Sequence, residues 1–97
     1  MSYNSKFKSK ENDDLFKAVL SLETEDECYR FFEDLMTVKE LQSISQRWQV
    51  ARLLDANKTY AEIEEKTQAS TATISRINKC LSYGAEGYSL VLNRIKK

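Results

Sequence analysis

The sequence predicts an all-α protein of six helices, and three features of its 97 residues support this. Proline is absent and glycine occurs only twice, at Gly84 and Gly87, so little would interrupt helices joined by short polar turns. Apolar residues recur at helical spacing. Three of these runs open on a threonine followed three positions later by a glutamate, which is the capping box of a helix start.

The first third of the chain predicts a polar arm and two helices. Residues 1–11 are lysine-rich, and we interpret them as a flexible arm in front of a single helical domain at residues 12–97. Asn12 is expected to cap a first helix that runs to about Leu22. The capping box "TEDE" predicts a second helix within residues 24–35.

The longest predicted helix follows the capping box "TVKE" and spans about residues 37–56. Its apolar residues, Trp48 among them, lie on more than one side. A helix of that kind is buried on more than one side, so we expect it to be the central helix of the domain. Asn57 directly after it is expected to adopt a left-handed conformation that ends the helix.

A short helix, a tight turn and a second helix follow. The capping box "TYAE" predicts a helix over residues 59–67, residues 68–70 form the turn, and Ser70 caps the next helix, which ends at Gly84. Gln68 stands where such a turn favours glycine, at a cost of about 1 kcal/mol for a left-handed conformation. The last predicted helix follows "GAEG" and has one apolar face, formed by Tyr88, Val91, Leu92 and Ile95.

The helix after Ser70 has two unlike faces. Ile74, Ile77 and Leu81 cluster on one face, which predicts burial. The opposite face is small and polar, with Ala72, Ser75, Lys79 and Ser82. This is the helix-turn-helix pattern, in which small side chains let the second helix approach base edges in the major groove of duplex DNA. The alternative interpretation is a plain amphipathic helix with a solvated outer face.

The composition argues against several classes of protein. Histidine is absent, and Cys28 and Cys80 match no metal-ligand spacing, so we expect neither a metal nor a cofactor, and no enzyme. No apolar run reaches the length of a membrane span, and the N-terminus has no signal peptide, so a cytoplasmic protein is expected. The net charge is zero, with a balance of −4 over residues 1–36 and +4 over residues 37–97.

Three stretches resemble the tryptophan repressor superfamily, in particular its YerC/YecD-type branch: "LMTVKELQSISQRWQVARLL", "TYAEIEEKTQASTATISRINKCL" and "GYSLVL". The piece "ATISR" is the most specific. The resemblance implies an intertwined homodimer that binds operator DNA as a transcriptional regulator, here expected to be a repressor. The DNA-contacting positions that it implies are Tyr60, Ala61, Ser70, Thr71, Ala72 and Ser75. The outer helix face adds Lys79 and Ser82.

The same resemblance implies an effector pocket. Thr37, Arg47, Thr73 and Arg76 match positions that hold the corepressor amino acid in the tryptophan repressor, where the two arginines flank the indole and reach the carboxylate. Ile77 and Cys80 complete the candidate pocket, but they replace a glycine and a serine of that family. We therefore expect that tryptophan does not control this protein. The two arginines either bind another small ligand or form structural ion pairs.

The first two helices predict a homodimer, because they present more apolar surface than one neighbouring helix can cover: Phe16, Val19, Leu20, Phe31, Phe32 and Met36. An alternative function is a non-enzymatic dimeric scaffold that docks another regulator. The zero net charge favours this alternative, as do Tyr60 and Ala61, where the repressor has longer polar and basic residues.

Overall fold

The computed structural model describes residues 3–96, which form six α-helices and no strand. The helices are α1 (Lys10–Leu20), α2 (Glu25–Leu35), α3 (Val38–Asp55), α4 (Tyr60–Thr67), α5 (Thr71–Tyr83) and α6 (Gly87–Ile95). The predicted six-helix, all-α fold is confirmed. None of these helices is long and apolar enough to cross a membrane. The chain divides into two compact units, Met1–Thr37 and Val38–Lys97.

The first unit begins its helix earlier than the sequence predicted. The hydroxyl oxygen of Ser9 accepts a hydrogen bond from the Asn12 backbone N–H at 3.0 Å, so Ser9 is the cap of α1. The prediction that Asn12 is the cap was wrong, because its side-chain amide donates instead to the Phe7 carbonyl at 2.7 Å. α1 therefore begins inside the predicted arm and ends at Leu20, two residues before the predicted end. The division into an arm and a single domain stays a prediction.

The second helix of this unit begins as predicted. Thr24 caps α2 by accepting from the Glu27 N–H at 3.1 Å. The Glu27 carboxylate binds the N–H of Glu23 at 2.8 Å, one residue before the expected partner in the capping box. Neither α1 nor α2 contains a buried residue. Phe16 and Leu20 are 59% and 82% exposed, so this unit does not bury its apolar residues within the described chain.

The second unit contains the core. α3 packs against both α4 and α5, which confirms the prediction of a central helix. Trp48 is half-buried and stacks on Tyr88 of α6, with ring centroids 6.3 Å apart and 19° between the planes. The core itself is a cluster of small and aliphatic side chains: Val50, Ala51, Ile63, Ala69, Ile74 and Ile77. It lies against the helix pair α4–α5, so this pair is anchored by residues of its own chain.

The connections of the second unit show where backbone conformation matters. Asn57 has a φ of 62°, which confirms its predicted left-handed conformation. Gly84 ends α5 as predicted, but its φ of −82° is not left-handed. A Cβ at Gly84 would lie 2.5 Å from the Cys80 carbonyl oxygen, so glycine is needed there for space. The left-handed residue of this connection is Glu86, with a φ of 68°.

The apolar face predicted for α6 is only partly covered. Leu92 is 4% exposed and Tyr88 is half-buried, but Val91 and Ile95 remain 42% and 56% exposed. Beyond its last turn, the Lys96 ammonium pairs with the Asp55 carboxylate at the end of α3, at 2.7 Å. α6 is therefore held against α3 near both of its ends, while part of its apolar face stays open.

Candidate nucleic-acid interface

The helix pair α4–α5 starts from a complete capping box. The Thr59 hydroxyl accepts from the Glu62 N–H at 3.1 Å, and the Glu62 carboxylate accepts from the Thr59 N–H at 2.8 Å. The hydrogen bond from the Thr59 N–H lowers the pKa of Glu62 from 4.5, with smaller contributions in the same direction from the Thr59 hydroxyl, Lys58 and Lys66. The carboxylate is therefore ionised at neutral pH, and it occupies the amino end of α4.

The turn between the two helices is tight and well supported. Gln68 adopts a left-handed conformation with φ 59° and ψ 16°, as predicted for a position that favours glycine. Its side-chain amide donates to the Glu65 carbonyl at 2.7 Å, a local bond that offsets part of the conformational cost. From α3, the Gln46 amide donates to the Thr67 carbonyl at 3.0 Å. Ala69 is 2% exposed, so the middle of the turn is fixed in the core.

The outer face of α5 lies in solvent, with one exception. Five residues of this face are exposed, and Ser75 is half-buried; the exposed residues are Ser70, Thr71, Ala72, Lys79 and Ser82. On the first turn of α4, Ala61 is exposed and Tyr60 is 37% exposed. All eight predicted DNA-contacting residues are thus at least partly accessible on this helix pair.

The amino end of α5 differs from that of α4 in charge. The first turn of α5 contains no acidic residue, whereas α1 to α4 each carry at least one. Ser70 caps α5 by accepting from the Thr73 N–H at 3.2 Å. The backbone N–H groups of Thr71 and Ala72 have no acceptor among residues 3–96. These two donors and the helix dipole make the start of α5 favourable for a phosphate oxygen.

A small cavity lies beneath the same helix. Its volume is about 110 Å³. It is lined by Arg47, Thr73, Arg76, Ile77, Cys80 and Tyr88. Five of the six residues of the candidate effector pocket are therefore brought together, and Thr37 lies in the other unit. Tyr88 was not predicted as part of the pocket. Its place in the stretch "GYSLVL" was the available signal, but the helical pattern there indicated only core packing.

The cavity carries positive charge without a compensating carboxylate. Within residues 3–96, neither Arg47 nor Arg76 forms an ion pair. Burial raises the pKa of the Tyr88 phenol above 10.0, the Cys80 thiol adds to the rise, and the two guanidinium groups oppose it. The field of both arginines thus reaches the phenol, and residues 3–96 supply no ion-pair partner for either arginine.

Ile77 and Cys80 also line the cavity, one as a core side chain and the other as a thiol. Ile77 is 3% exposed and belongs to the core cluster, so its side chain fills space that glycine would leave open. Cys80 is a half-buried free thiol, and Cys28 is exposed. The described part of the chain contains no group of His, Cys, Asp or Glu side chains that could hold a metal ion.

A short helix, a left-handed turn and a second helix packed on a central helix define the helix-turn-helix class of DNA-binding proteins. The chain belongs to the Trp repressor protein family, which it matches over residues 10–96. This is a family of DNA-binding transcription regulators.

Three relatives place the chain more closely within this family. Over 92 residues it is 52% identical to the uncharacterized protein YerC of Bacillus subtilis (strain 168), which covers 95% of this chain and 88% of YerC. A crystal structure of a candidate Trp repressor from Staphylococcus aureus has a TM-score of 0.89 and 48% identity, covering 94% of this chain and 91% of that one. A TrpR like protein from Eubacterium eligens ATCC 27750 has a TM-score of 0.90 and 50% identity, covering 96% of each chain.

Proposed function

We propose that this protein is a transcriptional repressor that binds operator DNA as a homodimer, with α5 as the reading helix. The observation that carries this proposal is the amino end of α5. It offers the two unengaged N–H donors of Thr71 and Ala72, contains no carboxylate, and is anchored to the core through Ala69 and Ile74. This function requires no catalytic step. We expect the protein to be cytoplasmic, because DNA is accessible there.

The residues around this helix start have distinct roles in the proposed complex. Thr71 and Ala72 place small side chains and backbone donors at the groove edge, where phosphate contacts position the helix. Ser75 is half-buried on the same face, so it is less accessible to a base edge than its exposed neighbours are. Lys79 and Ser82 lie further along the exposed face of α5, on the side that would approach the sugar-phosphate backbone of the DNA. Tyr60 and Ala61, at the start of α4, make a second contact with the DNA in this proposed complex.

The proposed dimer is supported by the apolar residues that the first unit leaves exposed. α1 and α2 bury none of their residues, and Phe16 and Leu20 are exposed. Burial of such side chains contributes about 25 cal/mol per Å² of apolar area. A second copy of this chain would cover them and would place two reading helices ~34–36 Å apart, one turn of the duplex.

The proposed DNA binding is tested by selection from random genomic fragments, which reports binding and operator sequence together. We expect a two-fold symmetric site. If the dimer contacts roughly 6–10 phosphates, its affinity should fall by ~10³–10⁵ between 50 and 200 mM salt. Ser75→Glu and Ala72→Glu should abolish binding, because each places a carboxylate in the groove. Asn93→Glu on α6 is the matched control and should bind as the parent does. Salt-independent binding would contradict the proposal.

We propose further that tryptophan does not control this repressor. The cavity of about 110 Å³ is smaller than the ~150 Å³ cavity that accommodates benzene, and indole is larger than benzene. Ile77 occupies the volume that a glycine would leave, and overpacking costs ~1–3 kcal/mol or more. Calorimetry with millimolar tryptophan should give no saturable heat, and DNA affinity should not change when tryptophan is added. DNA binding that requires tryptophan would contradict this.

A second candidate function is a dimeric scaffold that docks another regulator through the same helices. Its support is the acidic surface of α4, where Glu62, Glu64 and Glu65 are all exposed and would repel DNA phosphates. In this case, retention on bulk DNA would be absent at low salt. The fragment selection described above therefore distinguishes the two functions.

A further inference from the structure

Tyr83, at the carboxyl end of α5, is a large side chain that the fold does not use. It is 88% exposed, a larger fraction than for any other large apolar or aromatic residue among residues 3–96. Within the same residues its hydroxyl has no hydrogen-bond partner, and its ring packs against no other ring. Packing within the chain therefore does not explain why a tyrosine stands at this position.

The backbone that carries Tyr83 is nevertheless well fixed. Ile77 is 3% exposed and Leu81 is half-buried, so the second half of α5 is held against the rest of the second unit. The Gly84 N–H donates to the Cys80 carbonyl at 2.9 Å, and the helix ends directly after Tyr83. The phenol therefore projects from a firmly packed helix end rather than from a loop.

Tyr83 shares the outer face of α5 with two of the proposed DNA contacts. Ala72, Lys79 and Tyr83 follow one another at spacings of seven and four residues, on the side opposite the buried isoleucines of the helix. The side chains on this line lengthen toward the carboxyl end, from alanine through lysine to tyrosine. A helix that enters the major groove by its amino end needs this order, because its start must approach the base edges while its end lies further from them.

The length of α5 places Tyr83 past the base edges. At 1.5 Å per residue it lies about 16 Å from Ala72 along the helix axis, whereas the major groove is about 12 Å wide. A side chain at that distance from the reading end meets the sugar-phosphate backbone. The last turn of α5 contains no basic residue, so its O–H donors are the hydroxyl groups of Ser82 and Tyr83. The carboxyl end of a helix is partly negative, and the longer tyrosine holds its donor further from that end.

We propose that Tyr83 is a further DNA-contacting residue, whose phenol hydroxyl donates a hydrogen bond to a backbone phosphate at the edge of the major groove. This inference rests on the proposed function. With its amino end on the bases and the phenol on the backbone, α5 is held at two points, and its tilt in the groove is fixed. A phosphate contact of this kind positions a protein on the duplex without reading the sequence.

The first experiment compares operator binding by the parent and by Tyr83→Phe, which removes the hydroxyl and keeps the ring. One net hydrogen bond is worth at least about 2-fold in affinity, and a two-fold symmetric complex contains two, so binding should weaken by at least ~4-fold. A phenol carries no positive charge, so the dependence of affinity on salt should stay that of the parent. Lys79→Gln, in contrast, should make this dependence shallower. A changed salt dependence in Tyr83→Phe would contradict a neutral hydrogen bond.

Tyr29→Phe is the matched control. Tyr29 is 64% exposed on α2, so this variant removes the same hydroxyl from another surface helix and should bind DNA as the parent does. Urea denaturation and sedimentation of Tyr83→Phe should also match the parent. If Tyr83→Phe weakens self-association, Tyr83 lies in an interface between two copies of the chain, and the inference is overturned.

The second experiment locates the phosphate. Each backbone phosphate of an operator half-site is replaced in turn by a neutral methylphosphonate. For the parent, one replacement should weaken binding through the lost contact with Tyr83. The same replacement should have a smaller effect on Tyr83→Phe, while replacements elsewhere affect both proteins equally. This coupling is a double-mutant cycle between one side chain and one phosphate, and a purely structural role of Tyr83 would not produce it.

The outcomes separate this inference from the proposed function. If no duplex is bound at any salt concentration, both fail. If the parent binds DNA and Tyr83→Phe binds it equally well, or if no phosphate is coupled to Tyr83, only the role of Tyr83 fails. Weaker binding by Tyr83→Phe together with coupling to one phosphate supports it.

Discussion

The two helix pairs α1–α2 and α4–α5 are nearly equal in length but differ in what they bury. α1 and α2 have 11 residues each, and none is buried. α4 and α5 have 8 and 13 residues, and they bury Ile63, Ile74 and Ile77. Both pairs have apolar residues at helical spacing. The difference teaches that the helical pattern marks which residues need cover without showing what covers them. α3 covers the apolar residues of α4 and α5, whereas no residue of α1 or α2 is buried within the described chain.

The largest effect that tests this comparison is expected in α5. Ile74 is fully buried, so Ile74→Ala removes apolar contacts and leaves a cavity. We expect a loss of ~2–5 kcal/mol in the free energy of unfolding, measured by urea denaturation. Tyr83→Ala on the same helix is the control, since Tyr83 is 88% exposed, and its effect should stay within ~0.5 kcal/mol. Equal losses for the two variants would remove the distinction between the faces of α5.

The next effect concerns α1 and tests whether a second copy covers it. Leu20 is 82% exposed in the single chain, so Leu20→Asp has little to disturb there. In a dimer it would place a carboxylate in an apolar interface, and we expect dimerisation to weaken at least ~100-fold, about 2.7 kcal/mol. Sedimentation at micromolar concentration measures this. Lys17→Asp on the same helix adds the same carboxylate at a polar position, and that variant should remain a dimer. A parent chain that is a stable, folded monomer would contradict the comparison directly.

A smaller effect is expected at the turn of the second pair. Gln68→Gly removes the left-handed strain and also removes the amide bond to Glu65. The strain is ~1–2 kcal/mol and the bond contributes ~0.5–1.5 kcal/mol, so the net change should lie between a loss of ~0.5 kcal/mol and a gain of ~1.5 kcal/mol. Gln68→Ala loses the bond but keeps the strain, and it should destabilise. Thermal unfolding should therefore show Gln68→Gly to be more stable than Gln68→Ala. The reverse order would mean that the amide bond, rather than the backbone, determines this turn.

The smallest effect is the pH dependence of the capping box of α4. The pKa of Glu62 lies below 4.5 in the folded chain, so its carboxylate contributes stability above pH 4.5. That contribution should be lost as the pH falls through the lowered value. The difference in unfolding free energy between the parent and Glu62→Gln should therefore shrink between pH 7 and pH 3. If the difference in unfolding free energy between the parent and Glu62→Gln grows as the pH falls, the prediction is wrong.

Helix starts were predictable where the capping bond is local. The caps Thr24, Thr59 and Ser70 were identified correctly, because each hydroxyl needs only an N–H three residues further along. The start of α1 was not, because Ser9 and Asn12 are both good caps three residues apart. The choice between them depends on where the Asn12 amide finds a carbonyl, and the Phe7 carbonyl is positioned by the turn before the helix.

The candidate site was predictable as a set of residues but not as a geometry. The family resemblance identified five of the residues around the cavity, yet it gave no volume and did not include Tyr88. Helical spacing placed Ser75 on the outer face, but it could not show that Ser75 is half-buried. The contact between Ser70 and Thr73 depends on two side-chain rotamers, and no residue pattern determines those.

The stacked pair of Trp48 and Tyr88 makes the protein its own optical reporter. Trp48 is the single tryptophan of the chain, so every change in its fluorescence has one source. Its ring stacks on the ring of Tyr88, which lines the cavity together with Arg47 and Arg76. A shift of α3 or α6 changes the surroundings of this stack. The emission of the unlabelled protein should therefore report movements of α3 and α6 relative to each other, while an operator duplex adds no fluorescence of its own.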